Sequence, residues 1–123
     1  MKLSVRQEGV SFVAESRGRK VYMGGDNSLE PLDLFIASLG GCVAAYVVSH
    51  CQMVGIPHEG FEVEVDWERA KDINRVAKID VKVRMPSELP ENRKKALHRV
   101  AEHCTVHNSI IEKPEVNISI EGG

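Results

Sequence analysis

The stretch LDLFIASLGGCVAAYVVSHCQMV, residues 32–54, decides the fold because it is the most apolar segment of the chain. Pro31 precedes it, where proline suits the first turn of a helix, and Gly55 and Pro57 follow it as helix-ending residues. The pattern predicts one long helix that is apolar on nearly all sides, and such a helix must be covered on all sides. Its paired glycines, Gly40–Gly41, each cost about 1 kcal/mol relative to alanine, so we expect close packing that compensates for them.

The composition is that of one globular domain, residues 1–123, with 42% hydrophobic and 28% charged residues. A net charge of −2 supplies no excess of positive charge, so we expect no nucleic-acid partner. The densely apolar part of the long helix, Leu34 to Val48, is shorter than the roughly 20 residues of a bilayer span, which predicts a buried helix and no membrane association. The start of the chain lacks the hydrophobic segment of a signal peptide, so we expect a cytoplasmic protein.

The remaining segments predict an α+β fold with antiparallel sheets. Residues 3–24 indicate two or three short hairpin strands around a turn at Arg17-Gly18-Arg19. Residues 61–69 and 76–85 alternate strongly and predict two long antiparallel strands with one face in solvent. Pro90 begins a second helix, ENRKKALHRVAEHC, whose apolar face points Cys104 toward the core. After Pro114, a last strand is predicted from three alternating apolar residues, Val116, Ile118 and Ile120.

The apolar helix also predicts the oligomeric state. A single sheet of a 123-residue chain is too small to cover a helix of this length on every face, so a second subunit must supply the missing wall. We therefore expect an obligate homodimer in which the helix packs against its symmetry mate. Gly40–Gly41 would allow the close backbone approach at that contact.

Three cysteines, an odd number, argue against a structural disulfide framework. Cys42 and Cys51 are nine residues apart on opposite faces of the long helix, so they cannot bond to each other. Cys104 lies on a separate helix and can approach either one. The pairing of Cys42 with Cys104 is favoured because the glycines open space beside Cys42. The alternative is plain packing, since free cysteine is often simply a buried apolar residue.

A reactive thiol requires a thiolate, a partner thiol and shelter from over-oxidation. Cys42 lies three turns into the helix, where the helix dipole has faded, so an arginine is expected to stabilise its thiolate. Arg17 or Arg19 in the hairpin turn is the candidate, oriented by Asp33 or Glu30 at the helix start. The alternative is that these are solvated surface residues.

A zinc site is a weaker alternative. It would draw on the H-C-x-x-H run His103, Cys104 and His107, with His50 and Cys51 completing four ligands. The paired C-x-x-C motif of common zinc sites is missing, and neither a serine-nucleophile elbow nor a phosphate-binding glycine loop occurs. We therefore expect no metal and no organic cofactor.

Two segments together resemble the OsmC/Ohr family of organic hydroperoxide reductases: EPLDLFIASLGGC, residues 30–42, and HCTVHNSI, residues 103–110. The resemblance covers essentially the whole chain. It implies an intertwined α+β homodimer with antiparallel sheets wrapped around long central helices. It also implies that Cys42 is the peroxidatic thiol, that Cys104 is the resolving thiol, and that a lipoyl-type or other small dithiol is the reductant.

The chain departs from that family at two positions. Leu32 stands where many peroxidases of the family have glutamate, although the adjacent Asp33 matches an acidic position of other OsmC-like branches. Thr105 stands where proline commonly follows the second cysteine. The arginine aligns only loosely with Arg17 or Arg19, and Arg17 is preferred.

The resulting hypothesis is a thiol-dependent peroxidase with an antioxidant role in the stress response. Its catalytic residues would be Cys42, Cys104, Arg17 and Asp33. An apolar approach would favour organic hydroperoxides over hydrogen peroxide, and its expected lining is Phe35, Leu39, Tyr46 and Val106. The alternative is a non-catalytic dimeric OsmC-like module that binds a small apolar ligand at the subunit interface, with buried or redox-sensing cysteines.

Overall fold

The computed structural model describes residues 1–122 and has an α+β architecture, as predicted. Its elements in chain order are β1 (Ser4–Glu8), β2 (Ser11–Ser16), β3 (Arg19–Met23), α1 (Pro31–Val54), β4 (Glu62–Arg69), β5 (Val76–Arg84), α2 (Glu91–Ala101) and α3 (Thr105–Ile111). They form two compact units. The first is Met1–Ser38, the second begins at Leu39, and α1 is continuous through the boundary.

The first unit contains an antiparallel sheet in the order β1-β2-β3, which confirms the predicted hairpins. The β2–β3 turn is formed by Arg17 and Gly18, whose φ angles of 51° and 74° are both positive. Two positive φ angles in a two-residue turn match the right-handed twist of the flanking strands. One face of the sheet buries Val13, while Phe12 and Val21 on the opposite face remain exposed.

The second unit is built on a ridge of residues spaced four apart along α1. Leu39, Val43, Val47 and Cys51 repeat at helical spacing and are all buried. They join Ile56, Leu97 and Cys104 in one hydrophobic core. The β4–β5 hairpin is antiparallel, as predicted, and Val83, Ile79 and Phe61 pack against this core from the hairpin side.

Close packing explains why position 40 is a glycine. A Cβ atom at Gly40 would lie 3.0 Å from Cγ2 of Val65 and 3.8 Å from Cγ1 of Val63. A close approach that this glycine allows is therefore made by β4 of the same chain, a contact that the sequence pattern did not predict. A Cβ atom at Gly41 would meet open space. Apart from its chain neighbours and the nearby backbone of α1, no heavy atom of residues 1–122 lies within 4 Å of that position.

The predicted second helix is interrupted before Cys104. α2 ends at Ala101, and Cys104 has an extended backbone conformation with φ −59° and ψ 132°. The chain turns here through hydrogen bonds from His103 N–H to Val100 O, and from Cys104 N–H to the Ala101 carbonyl. Cys104 is thus the N-cap of α3 rather than a residue on the face of α2, which corrects the sequence-based placement.

The predicted last strand is not formed. Residues 114–122 have no regular secondary structure, and the side chains of Val116, Ile118 and Ile120 are 75%, 87% and 94% exposed. An alternating pattern supplies a suitable apolar face, but a strand also requires a neighbouring strand for its backbone groups. Within residues 1–122, no strand pairs with this segment.

By length and composition alone, the 24-residue helix α1 is long and apolar enough to cross a membrane. The helix is longer than the densely apolar segment, Leu34 to Val48, from which a buried helix was predicted. Core helices of globular proteins meet the same criterion. Only 28% of its most apolar 18-residue stretch is buried within this chain. Most residues of that stretch are therefore not buried within this chain.

Candidate functional site

Cys42 lies near the middle of α1 and is half-buried. It is adjacent in sequence to the core residue Val43, and its side chain packs against the core that contains Cys104. Part of the Cys42 residue therefore remains accessible from outside the core, unlike Cys51 and Cys104. This accessibility is the first requirement for thiol chemistry.

Cys104 is fully buried, with 0% of its surface exposed, at the position that begins α3. Its Sγ atom accepts a hydrogen bond from the backbone N–H of His107 at 3.5 Å, in the manner of a helix-capping side chain. This contact orients the sulfur at the start of the helix. The tertiary structure therefore brings together two cysteines that are 62 positions apart in the sequence.

The two thiols differ in acidity. Burial raises the pKa of Cys42, but hydrogen bonds from the Cys104 thiol and from the backbone N–H groups of Val106 and Thr105 lower it, and the net direction is downward. Burial and the hydrogen bond to Cys42 raise the pKa of Cys104, and this outweighs the backbone N–H groups of His107 and Val106. The negative charge is thus favoured on Cys42 and the proton on Cys104.

The sequence pattern led us to expect an arginine beside Cys42. All of the groups that lower its pKa are hydrogen-bond donors: one thiol and two backbone amides at the start of α3. Such amides stabilise an anion because their N–H dipoles point at it. Sequence analysis missed this contribution because it assigned residues 91–104 to one continuous helix, whereas the break at Cys104 frees the amides that follow it.

Arg17 and Asp33 both lie in the first compact unit. Arg17 and Arg19 are exposed at the β2–β3 turn. Asp33, in the first turn of α1, accepts a hydrogen bond from the backbone N–H of Glu30 at 3.1 Å and so helps to begin the helix. The proposed roles of Arg17 and Asp33 at the thiolate stay predictions.

Tyr46 and Thr105 form a further polar contact between the two elements that carry the cysteines. The Tyr46 hydroxyl and Thr105 Oγ1 are 3.4 Å apart and share a hydrogen bond. Tyr46 was expected to line the approach to Cys42, but its hydrogen bond to α3 was not foreseen. The sequence spacing indicated only that Tyr46 lies on the same face of α1 as Cys42, one helical turn later.

Cys51 is separate from this pair in chemical character. It is 0% exposed, and burial raises the pKa of its thiol. Both properties favour the neutral thiol and limit access, so Cys51 packs in the core as a small apolar residue.

The histidines do not assemble the zinc-ligand set that the sequence suggested as an alternative. Throughout residues 1–122, no three or more His, Cys, Asp or Glu side chains are grouped closely enough to hold a metal ion. His107 instead contacts Asn108 through Nδ1 at 3.4 Å.

A cavity of about 530 Å³ lies within the second unit, among α1, β5 and α2. Its floor is formed by Leu39, Val43 and Val47 on α1 and by Ile79 and Val83 on β5. This volume falls within the range of small-molecule sites in proteins, roughly 300–1,000 Å³. Of the residues expected to line the approach to Cys42, Leu39 lines this cavity. Val106 is the second residue of α3, and Tyr46 of α1 contacts Thr105 at the start of α3.

Solved structures of similar fold are OsmC-like proteins. One is a Psychrobacter arcticus protein named for osmotic stress induction and a detoxification response, with 21% identity and a TM-score of 0.79 over 89% of this chain and 87% of that one. A second is an organic hydroperoxide resistance protein OsmC from Legionella pneumophila, with 18% identity and a TM-score of 0.61 over 89% of each chain.

A third is an OsmC-like hydroperoxide resistance protein from Jannaschia sp. CCS1, with 18% identity and a TM-score of 0.60 over 98% of this chain and 91% of that one. At these identities the likeness shows the fold. No curated protein matches the sequence at a significant level. The sequence profile of the family described as "OsmC-like protein" matches residues 24–121, a range that includes both Cys42 and Cys104. The chain therefore belongs to the OsmC-like protein family.

Proposed function

We propose that this protein is a thiol peroxidase that reduces organic hydroperoxides. The Cys42 thiolate attacks the terminal oxygen of the hydroperoxide, the O–O bond breaks, and the alkoxide leaves as the alcohol after taking up a proton. Cys42 becomes a sulfenic acid. The Cys104 thiol then attacks the sulfenic sulfur, water leaves, and a Cys42–Cys104 disulfide forms. A small dithiol reduces this disulfide and is itself oxidised.

The observation that carries the proposal is the contact between two cysteines 62 positions apart in the sequence, of which Cys42 is half-buried and Cys104 is fully buried. Hydrogen bonds hold the pKa of the accessible Cys42 below its ordinary value, although burial acts against them. The pKa of Cys104 is raised, mainly by burial and also by its hydrogen bond to Cys42. A peroxidatic thiol must be a reachable thiolate, and a resolving thiol must be close but less reactive toward peroxide. The directions of the two pKa shifts and the deeper burial of Cys104 support this assignment of roles.

Family membership supports the same reaction class. Two of the structural neighbours are named for hydroperoxide resistance. The preference for organic hydroperoxides over hydrogen peroxide is part of our proposal. The expected reason for that preference is the apolar character of the residues around Cys42.

We further propose that the active form is a homodimer. Along α1, Phe35 and Tyr46 are exposed, and Met53 is 78% exposed. Burying apolar surface contributes roughly 25 cal/mol per Å², so a helix with this much uncovered apolar surface favours association. Three free thiols fit a reducing compartment, so we propose a cytoplasmic location together with a lipoyl-type or similar dithiol as reductant.

Thiol titration tests the proposed reaction. Reduced protein is treated with one equivalent of cumene hydroperoxide, and free thiols are counted in the denatured protein before and after. We expect the loss of two thiols per chain in the wild type and in the matched control Cys51→Ala. Cys42→Ser should lose none, and Cys104→Ser should form a sulfenic acid that dimedone traps. Unchanged thiols in the wild type would contradict the proposal.

One observation favours a second candidate function, a non-catalytic module that binds a small apolar ligand. The cavity of about 530 Å³ has an apolar floor and the volume of a small-molecule site. If the thiols stay unchanged in the titration and an apolar fluorescent probe binds with a stoichiometry that Val47→Trp abolishes, the binding module is the better description.

A further inference from the structure

The hydroxyl groups of Tyr46 and Thr105 form a contact between α1, which carries Cys42, and α3, which begins directly after Cys104. Their oxygen atoms are 3.4 Å apart. Tyr46 lies four residues after Cys42, so the two side chains leave the same face of α1. Thr105 directly follows Cys104. The contact therefore links the residue one helical turn after Cys42 to the residue directly after Cys104.

Thr105 also begins the helical turn whose amides act on Cys42. It is the first residue of α3, and hydrogen bonding by its backbone and by that of Val106 contributes to the lowered pKa of Cys42. The Thr105 carbonyl is fixed in turn by the hydroxyl of Ser109, which donates to it at 2.8 Å. Any shift of Thr105 away from α1 would carry both amides away from the sulfur.

We propose that the Tyr46–Thr105 hydroxyl pair is a positioning contact that keeps the first turn of α3 directed at Cys42. The proposal rests on the proposed function, because it assigns positioning residues to the thiol that reacts with peroxide. Neither hydroxyl is required to touch the substrate. Both act by fixing the distance between the Cys42 sulfur and the backbone N–H groups that stabilise its thiolate.

The chain allows variants that separate the hydroxyl contact from the amide. Thr105→Val removes the hydroxyl and keeps both the shape and the N–H group, and Tyr46→Phe removes the partner hydroxyl. Thr105→Ser retains the hydroxyl and is the matched control. Thr105→Pro removes the hydroxyl and the N–H group together. Proline fits the first helical position, and the extended backbone of Cys104, with ψ 132°, is suited to a residue that precedes proline.

The experiment measures the rate at which iodoacetamide alkylates Cys42 as a function of pH, by mass spectrometry of the peptide that contains it. We expect Tyr46→Phe and Thr105→Val each to shift the profile to higher pH and to slow alkylation at pH 7 by about threefold to tenfold, the range of one ordinary hydrogen bond. The double variant should match the single variants, and Thr105→Ser should match the wild type. Thr105→Pro should be slower than Thr105→Val.

Urea unfolding of every variant shows whether the fold is retained. Unchanged pH profiles in Tyr46→Phe and Thr105→Val, or additive effects in the double variant, would overturn the positioning contact. Alkylation does not require peroxidase activity, so the two proposals fail separately. A shifted profile in a protein that consumes no peroxide would contradict the proposed function only, whereas an unshifted profile in an active peroxidase would contradict the positioning contact only.

Discussion

The backbone N–H of His107 donates a hydrogen bond to Sγ of Cys104 at 3.5 Å, so the resolving thiol of the proposed reaction is also the capping side chain of α3. Oxidation of Cys104 to a disulfide would redirect this sulfur toward Cys42. The proposed redox reaction would therefore be coupled to the start of α3.

This coupling predicts that Cys104→Ser is better tolerated than Cys104→Ala. Serine preserves a capping oxygen for the His107 N–H, whereas alanine leaves that donor without its partner and costs about 1 kcal/mol. Urea unfolding of the reduced proteins measures the difference. Equal free energies of unfolding for the two variants would show that the cap contributes little.

Gly40 and Gly41 should respond in opposite ways to alanine. A methyl group at Gly40 would meet Cγ2 of Val65 at 3.0 Å, and valine has little freedom to move away, so overpacking of about 1–3 kcal/mol should exceed the helix-propensity gain. Gly41→Ala meets no atom of residues 1–122 within 4 Å beyond its own helix and should gain up to about 1 kcal/mol in a monomer.

Thermal and urea unfolding of Gly40→Ala and Gly41→Ala measure these effects, and sedimentation measures the oligomeric state. If Gly41→Ala weakens self-association, Gly41 lies at the contact between subunits. A Gly40→Ala protein more stable than the wild type would contradict the packing of β4 on α1 described above.

Reactivity toward alkylating agents should distinguish the thiols across the pH range. Hydrogen bonds overcome burial and lower the pKa of Cys42, so its thiolate persists below the pH at which a free thiol, with a pKa of about 8.5, is protonated. Its alkylation rate falls only as the pH falls through that lowered value. Cys51 and Cys104, whose pKa values burial raises, should react slowly until the protein unfolds.

The raised pKa of Cys51 also predicts a pH dependence of stability. A folded-state pKa above the unfolded value contributes stability that is complete below the unfolded pKa and is lost as the pH rises through the folded pKa. The advantage in unfolding free energy of the wild type over Cys51→Ala should therefore shrink between pH 7 and pH 10. Urea titrations at both pH values test this, and a constant difference would show that Cys51 has the same pKa in the folded and unfolded states.

The exposed C-terminal tail, residues 114–122, leads to a prediction about the proposed homodimer. Val116, Ile118 and Ile120 alternate in strand fashion but are exposed, so they gain by pairing with a sheet edge. Ile118→Lys should weaken self-association in sedimentation experiments, whereas Asn117→Lys, which changes the opposite face, should not. Equal self-association of both variants and the wild type would exclude the tail from the interface.

The amino-acid sequence by itself determined the hairpins, the limits of α1 and the identity of the paired cysteines. These features depend on local signals: alternation with a period of two, Pro31 and Gly55 as helix boundaries, and motifs that contain Cys42 and Cys104. The α+β class and family membership follow from the same signals.

Only the tertiary structure decided how the site works. The break between α2 and α3, the capping role of Cys104 and the hydrogen bonds from Thr105 and Val106 to Cys42 depend on which backbone groups lose their helical partners. Side-chain patterns carry little information about that loss, because a backbone N–H is the same at almost every position. The segment after Pro114 shows a second limit of side-chain patterns. Its alternating apolar residues predict a strand, but it forms none within residues 1–122. Strand formation depends on a partner strand that the pattern does not specify.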